Sequence, residues 1–196
     1  VVRHVIQEHG ATVLNFISGP LANPEALTRY NAFRKVMDEN RLRIDPRRIY
    51  YGTFRQQDGK AAIEEFALSG MKLPDAFICA NDAMALTAVS ALEKLGYRVP
   101  NDVIVTGFDC TYNARNFTPS LTTVKRPLTM AGKTACATLA EIFSGGNPEK
   151  IITLDAHAVF AESCGCKDSS SDDFIEYKKN TYNHLESINT NLSLLN

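Results

Sequence analysis

PDAFICANDAMALTAVSALEKLGYRVPNDVIVTGFD, residues 74–109, decides the fold. AFICA, residues 76–80, is a short, fully apolar run of strand length. Asn81 and Asp82 then offer side chains that cap a helix, in which Met84, Leu86, Ala88, Val89, Leu92 and Leu95 follow helical spacing until Gly96. VIVTGF, residues 103–108, is the next strand. Strands apolar at both alternating positions need cover on two faces, which points to a parallel sheet sandwiched by helices.

The same unit repeats upstream. Val2, Val5 and Ile6 sit in a helical pattern stopped by Gly10, which can take the left-handed cap conformation. TVLNFI, residues 12–17, is a strand, and Asn23 followed by Pro24 is a helix start whose apolar face is Leu27, Tyr30, Phe33 and Met37. After Asp45 and Pro46 come the strand RIYYG and a helix with Asp58 as N-cap, burying Ala62, Ile63 and Phe66 and ending at Gly70. Downstream, a polar loop gives way to LTTV at 121–124, a helix over 128–143 and a last extended stretch, KIITLDAHAVFAES. From Lys167 on there is no glycine, proline or cysteine, and Leu185, Ile188, Leu192 and Leu195 form a short seam at coiled-coil spacing. The expected architecture is a doubly wound, mostly parallel α/β sheet with helices on both faces and a C-terminal helical tail.

Of the 196 residues, 44% are hydrophobic, and 21 Lys and Arg against 22 Asp and Glu leave a net charge of -1. That composition suits one sizeable globular core and lacks the basic field that non-specific nucleic-acid binding requires. No apolar run is long enough to span a membrane. The five cysteines are an odd number in a chain too large to need disulfides, which favours a reducing cytoplasm. Cys164 and Cys166 form a C-x-C with no histidine near in sequence, and are read as small residues at a strand end rather than metal ligands.

In such a sheet the ligand groups come from loops at the carboxyl ends of the strands: Ser18 to Pro20, Gly52 to Phe54, Ala80 to Asp82, and Gly107 to Asp109. Asp109, directly after a buried strand, can accept hydrogen bonds from vicinal hydroxyls, or can cap the following loop. Asn81 is a polar contact or a helix N-cap, and Phe54 a stacking face or a core residue. Neither G-x-G-x-x-G nor G-x-x-x-x-G-K-[ST] is present, so no nucleotide cofactor is expected. The histidines have no zinc-ligand spacing, and Cys110 has no evident base for a nucleophilic enzyme.

GPLANPEALTRYNAF, the 74–109 stretch and FTPSLTTVKRPLTMAG together resemble the effector-binding domain of the lactose and galactose repressor (LacI/GalR) family, over residues 1 to 162. The resemblance implies a periplasmic-binding-protein-like fold of two α/β lobes closing on a small molecule, usually a sugar or purine. It places residues 1–127 in the C-terminal lobe, 128–162 in a crossover segment belonging partly to the other lobe, and 163–196 in a linker and candidate signalling helix. It puts Phe54, Asn81 and Asp109 at ligand-contact positions, with no enzymatic role, cofactor or metal. Leu27 stands where several sugar-binding members carry arginine, Arg29 matches a more structural arginine, and Cys110 replaces a common second acidic residue. The partners it implies are a small effector and a second copy of the chain, with no nucleic-acid or membrane contact by this segment. The extended end resembles sensors that feed a DNA-binding domain or a diguanylate cyclase; an extracytoplasmic binding protein of a transporter is the other alternative.

Overall fold

A computed structural model describes residues 1–167, so the expected C-terminal helix with its leucine seam lies outside the described residues. The elements follow one another as α1 (Val2–Gln7), β1 (Leu14–Ser18), α2 (Pro24–Glu39), β2 (Ile49–Tyr51), α3 (Gln56–Leu68), β3 (Ala76–Cys79), α4 (Asp82–Lys94) and β4 (Ile104–Thr106). Then come α5 (Tyr112–Asn116), β5 (Thr123–Lys125), α6 (Leu128–Phe143) and β6 (His157–Val159). The first four strands form one parallel sheet in the order β2-β1-β3-β4. Every residue of β1, β3 and β4 is buried, the pattern of strands covered on two sides.

Side-chain alternation assigns the two faces. Phe16 of β1 stacks on Phe33 of α2 at 4.8 Å between ring centroids, while Phe77 of β3 meets Phe66 of α3 edge-on at 5.5 Å. On the second face α3 and α4 approach closely enough that a Cβ at Gly59 would overlap the Met84 carbonyl. The glycines expected to end helices, Gly10, Gly70 and Gly96, all have positive φ.

Three boundaries differ from expectation. α3 starts at Gln56 with Arg55 as N-cap, so Asp58 is the third helical residue rather than the cap; its carboxylate reaches back to the Arg55 amide at 3.0 Å. The polar loop after β4 contains α5, capped by Thr111, whose hydroxyl accepts from the Ala114 amide. The segment from residue 163 is no linker at its start, because Ser163 is fully buried. Its hydroxyl donates to the Val105 carbonyl at 2.6 Å and accepts from the Thr122 amide at 2.9 Å, which sews the chain's exit onto β4.

β5 and β6 pair antiparallel in a separate ribbon, and the segment leading into β5 runs beside the end of β4, where the Gly107 amide donates to the Thr122 carbonyl at 2.8 Å. α6 leaves that ribbon and buries none of its residues; Leu128, Met130, Leu139, Ile142 and Phe143 are all exposed. No helix among the described residues is long and apolar enough to cross a membrane.

The start of β1 is pinned by Asp75, whose Oδ2 accepts from the Thr12 amide at 2.7 Å, the Val13 amide at 2.9 Å and the Thr12 hydroxyl at 3.2 Å. Desolvation pushes this carboxyl's pKa up, but the three hydrogen bonds outweigh it and hold it below the ordinary carboxylate range. A depressed folded pKa means that the contribution is complete above the unfolded value of about 3.9 and is lost as pH falls through the folded value. Asp75→Asn should therefore melt below the parent at about pH 6, with the gap closing as the pH approaches about 3. Thermal melts by circular dichroism check this; a gap independent of pH would show that the carboxylate's charge contributes nothing.

Candidate functional site

The strand order reverses direction between β1 and β3, and a crevice lies outside the carboxyl ends of strands at such a switch point. Phe54 is delivered there by the loop after β2. Its backbone is left-handed, with φ 68°, and the far edge of its ring lies so close to Gly19 that a Cβ at that glycine would overlap it. Such a φ costs an L-residue on the order of 1–3 kcal/mol. The loop is held nonetheless. Asp58 Oδ2 accepts from the Thr53 amide at 2.6 Å, the Thr53 hydroxyl at 3.0 Å and the Arg55 amide at 3.0 Å, and Asn81 Nδ2 donates to the Phe54 carbonyl at 2.9 Å.

Arg29 projects from α2 into the same place. Its guanidinium donates to the Ala80 carbonyl at 2.5 Å and pairs with Glu25 at 2.8 Å, standing 3.9 Å over the Phe108 ring and 5.4 Å from the Phe54 centroid. Burial lowers its pKa, with Asp109 and Glu25 opposing, and an arginine stays cationic throughout. Asp109 Oδ1 lies 3.7 Å from Arg29 and 3.3 Å from Arg126. Its Oδ2 makes no hydrogen bond among the described residues, and its side chain is 30% exposed. Asp109 and Cys110 both have positive φ, 115° and 54°, and are steadied by bonds from the Asp109 amide to the Val124 carbonyl and from the Cys110 amide to the Thr123 hydroxyl.

Beneath this rim Asp82 is fully buried. It accepts from the Thr123 hydroxyl at 2.6 Å and the Thr111 amide at 2.7 Å, joining α4 to the crossover strand. Burial pushes its pKa up and these two bonds pull it back. A Cβ at Gly107 would overlap the Asp82 carboxylate, so glycine is required there by space alone.

Phe54 and Asp109 are thus brought together around Arg29. Asn81 is placed differently: it is 8% exposed, its Oδ1 caps α4 by accepting from the Met84 amide at 2.9 Å, and its Nδ2 carries the Phe54 loop. Sequence reading misses Arg29, Arg126 and Phe108 as site residues. Arg29 lies among polar neighbours on a helix, and Phe108 reads as one more strand residue. An apolar groove of about 670 Å³ runs from Arg29 and Phe108 between α2 and the sheet, over Phe16, Ile78 and Thr106. Phe54, Asn81 and Asp109 lie outside its walls. The Thr106 hydroxyl, buried beside the groove, has no hydrogen-bond partner among the described residues.

Cys164 and Cys166, which have no histidine close in sequence, acquire imidazole neighbours in the fold. Pairing of β5 with β6 returns the chain to α1, and His4 and His9 meet both thiols.

Asp109, Arg29, Arg126, Phe54 and Phe108 thus meet at the switch point of a doubly wound lobe. The family profile of the periplasmic binding protein-like domain matches residues 2–164, and the chain belongs to that family, in its LacI/GalR effector-binding branch. It is 38% identical over 139 residues to the HTH-type transcriptional repressor PurR of Haemophilus influenzae, covering 71% of this chain and 41% of that protein. Among solved structures it resembles the lac repressor dimer bound to operator and the anti-inducer ONPF, with TM-score 0.76, 26% identity, and coverage of 83% of this chain and 48% of that one. The complex of the transcriptional regulator CelR with cellobiose is equally similar, with TM-score 0.76, 28% identity and coverage of 83% and 49%. The chain spans a little under half the length of these relatives.

Replacing Asp58 by Ala should free the Thr53 and Arg55 amides and lower stability by about 1 kcal/mol, the usual cost of a lost helix-start acceptor. Urea unfolding measures this, and an unchanged midpoint would mean that Asp58 does not hold the Phe54 loop.

Proposed function

We propose that the chain is mainly the C-terminal lobe of an effector-sensing domain of a LacI-type regulator, non-enzymatic, that grips a small sugar-like molecule between this lobe and a second one. The observation that carries the reading is the convergence of Asp109, Arg29 and Arg126 with the Phe54 ring at the switch point. Asp109 Oδ2 would take hydroxyl hydrogens, and Arg126 would donate to hydroxyl oxygens. The rings of Phe54 and Phe108 would offer faces to the ligand's C–H groups. Asn81 serves mainly by fixing Phe54. The cellobiose held by the similar CelR supports a carbohydrate as ligand.

In this reading residues 1–127 form the ligand-binding lobe, and the exposed apolar side of α6 packs on the second lobe. Ligand-driven closure then shifts the segment that leaves the domain, in a cytoplasmic homodimer whose output is DNA binding. A diguanylate cyclase output or a transporter-linked binding protein would use the same lobe, and the flanking sequence distinguishes them.

Calorimetry on the protein with both lobes, against a panel of monosaccharides, disaccharides and nucleosides, tests the assignment. Asp109→Ala should weaken the bound ligand by about 2–5 kcal/mol, as when one partner of a buried charge-assisted bond is removed. Retained affinity would refute its role, and a nucleoside rather than a sugar would reassign the ligand class. Gly19→Ala, which displaces the Phe54 ring, should weaken binding about tenfold or more, the equivalent of about 1.4 kcal/mol, with little change in unfolding midpoint. Full affinity in that variant would remove Phe54 from the site.

A further inference from the structure

His4 of α1, His9 just beyond it, and Cys164 and Cys166 at the chain's exit from the fold place one donor atom each within 4.8 Å of all the others. His4 Nε2 lies 3.1 Å from His9 Nε2, 3.3 Å from Cys166 Sγ and 3.8 Å from Cys164 Sγ, and Cys166 Sγ is 3.6 Å from His9 Nε2. Hydrogen bonding accounts for only part of this, the Cys164 thiol donating to the Ala161 carbonyl at 3.3 Å. A ring nitrogen has either one proton or one lone pair in the ring plane, so His4 Nε2 can satisfy one of its three neighbours. Four heteroatoms converging on a common point are instead the shape of a coordination shell.

The spacing agrees with one ion. Zinc binds histidine nitrogen at about 2.0–2.1 Å and thiolate sulfur at about 2.3 Å, so tetrahedral edges are roughly 3.3 Å between nitrogens and roughly 3.6 Å between nitrogen and sulfur. The observed 3.1, 3.3, 3.6 and 3.8 Å bracket those edges. The surroundings also hold the ligands in place. The Phe160 ring stacks on His4 at 3.7 Å, which fixes the imidazole plane. Gly165, with φ 93°, turns the chain between the two cysteines, and its amide bonds to the Glu162 carbonyl at 2.8 Å. Cys164 is 2% exposed, so its sulfur is shielded from solvent.

We propose that His4, His9, Cys164 and Cys166 form a tetrahedral site for a borderline-soft divalent cation, zinc by ligand type. Four protein donors leave no open position, which makes the site structural rather than hydrolytic. It clasps the first helix of the lobe to the segment that leaves it, joining residues 162 positions apart. This assignment stands independently of the crevice and its ligand.

The test uses the 196-residue chain. Purified without chelator from zinc-supplemented cells, it should carry close to one zinc per chain by mass spectrometry. After removal of metal and reduction of the thiols, cobalt(II) should give the visible bands of tetrahedral coordination with thiolate charge transfer in the near ultraviolet. Cys164→Ser with Cys166→Ser, and separately His9→Gln, should lose both signals at least tenfold, and a chelator should lower the melting temperature of the parent alone. A reduced parent chain that takes up neither metal would overturn the proposal, as would zinc retained at full stoichiometry in the double serine variant. The cobalt spectrum of the parent decides the matter even if a variant does not fold.

Discussion

Asp82 is the constraint on which the site side of the lobe depends. A carboxylate removed from water is costly unless hydrogen-bonded, and this one is answered by the Thr123 hydroxyl and the Thr111 amide, which come from beyond the sheet. Meeting that need draws the crossover strand against β4 and bends the chain at Asp109 and Cys110 into left-handed backbone. The fit is tight enough that Gly107 must lack a side chain. The carboxylate that faces outward, Asp109, is therefore positioned by one that faces inward.

How far the sequence foretells this varies with the range of the forces involved. Strands, helices and most caps arise from local apolar spacing and Asx chemistry, and Asn23 and Asn81 cap their helices as expected. Asp58 stands three positions inside its helix instead, because an acid can serve a helix start from the first turn as well as from the cap. The short α5 is hidden in polar sequence, since five residues have too little apolar period to register. The rim is half legible: Phe54 and Asp109 stand out as loop residues after strands, whereas Arg29 and Arg126 acquire meaning only when the sheet brings them to one carboxylate.

The His4, His9, Cys164 and Cys166 cluster lies beyond sequence reading for the same reason. Each half is a pair at short spacing with nothing to mark it, and only closure of the β5–β6 ribbon adds one to the other. Cys164 and Cys166 thereby lie beside α1. The buried Ser163, bonded to β4, makes the exit part of the sheet's packing rather than a tether.

Three side chains that surround the crevice, Phe54, Asp109 and Cys110, sit on backbone that L-amino acids disfavour. Their conformations persist through contacts made by neighbours, chiefly Asp58, Asn81 and Thr123. The crevice lip thus rests on a few side-chain hydrogen bonds, whereas β1 and β3 are held by ladder bonds on both sides. Damage to any of its neighbours would loosen the lip long before the sheet itself gave way.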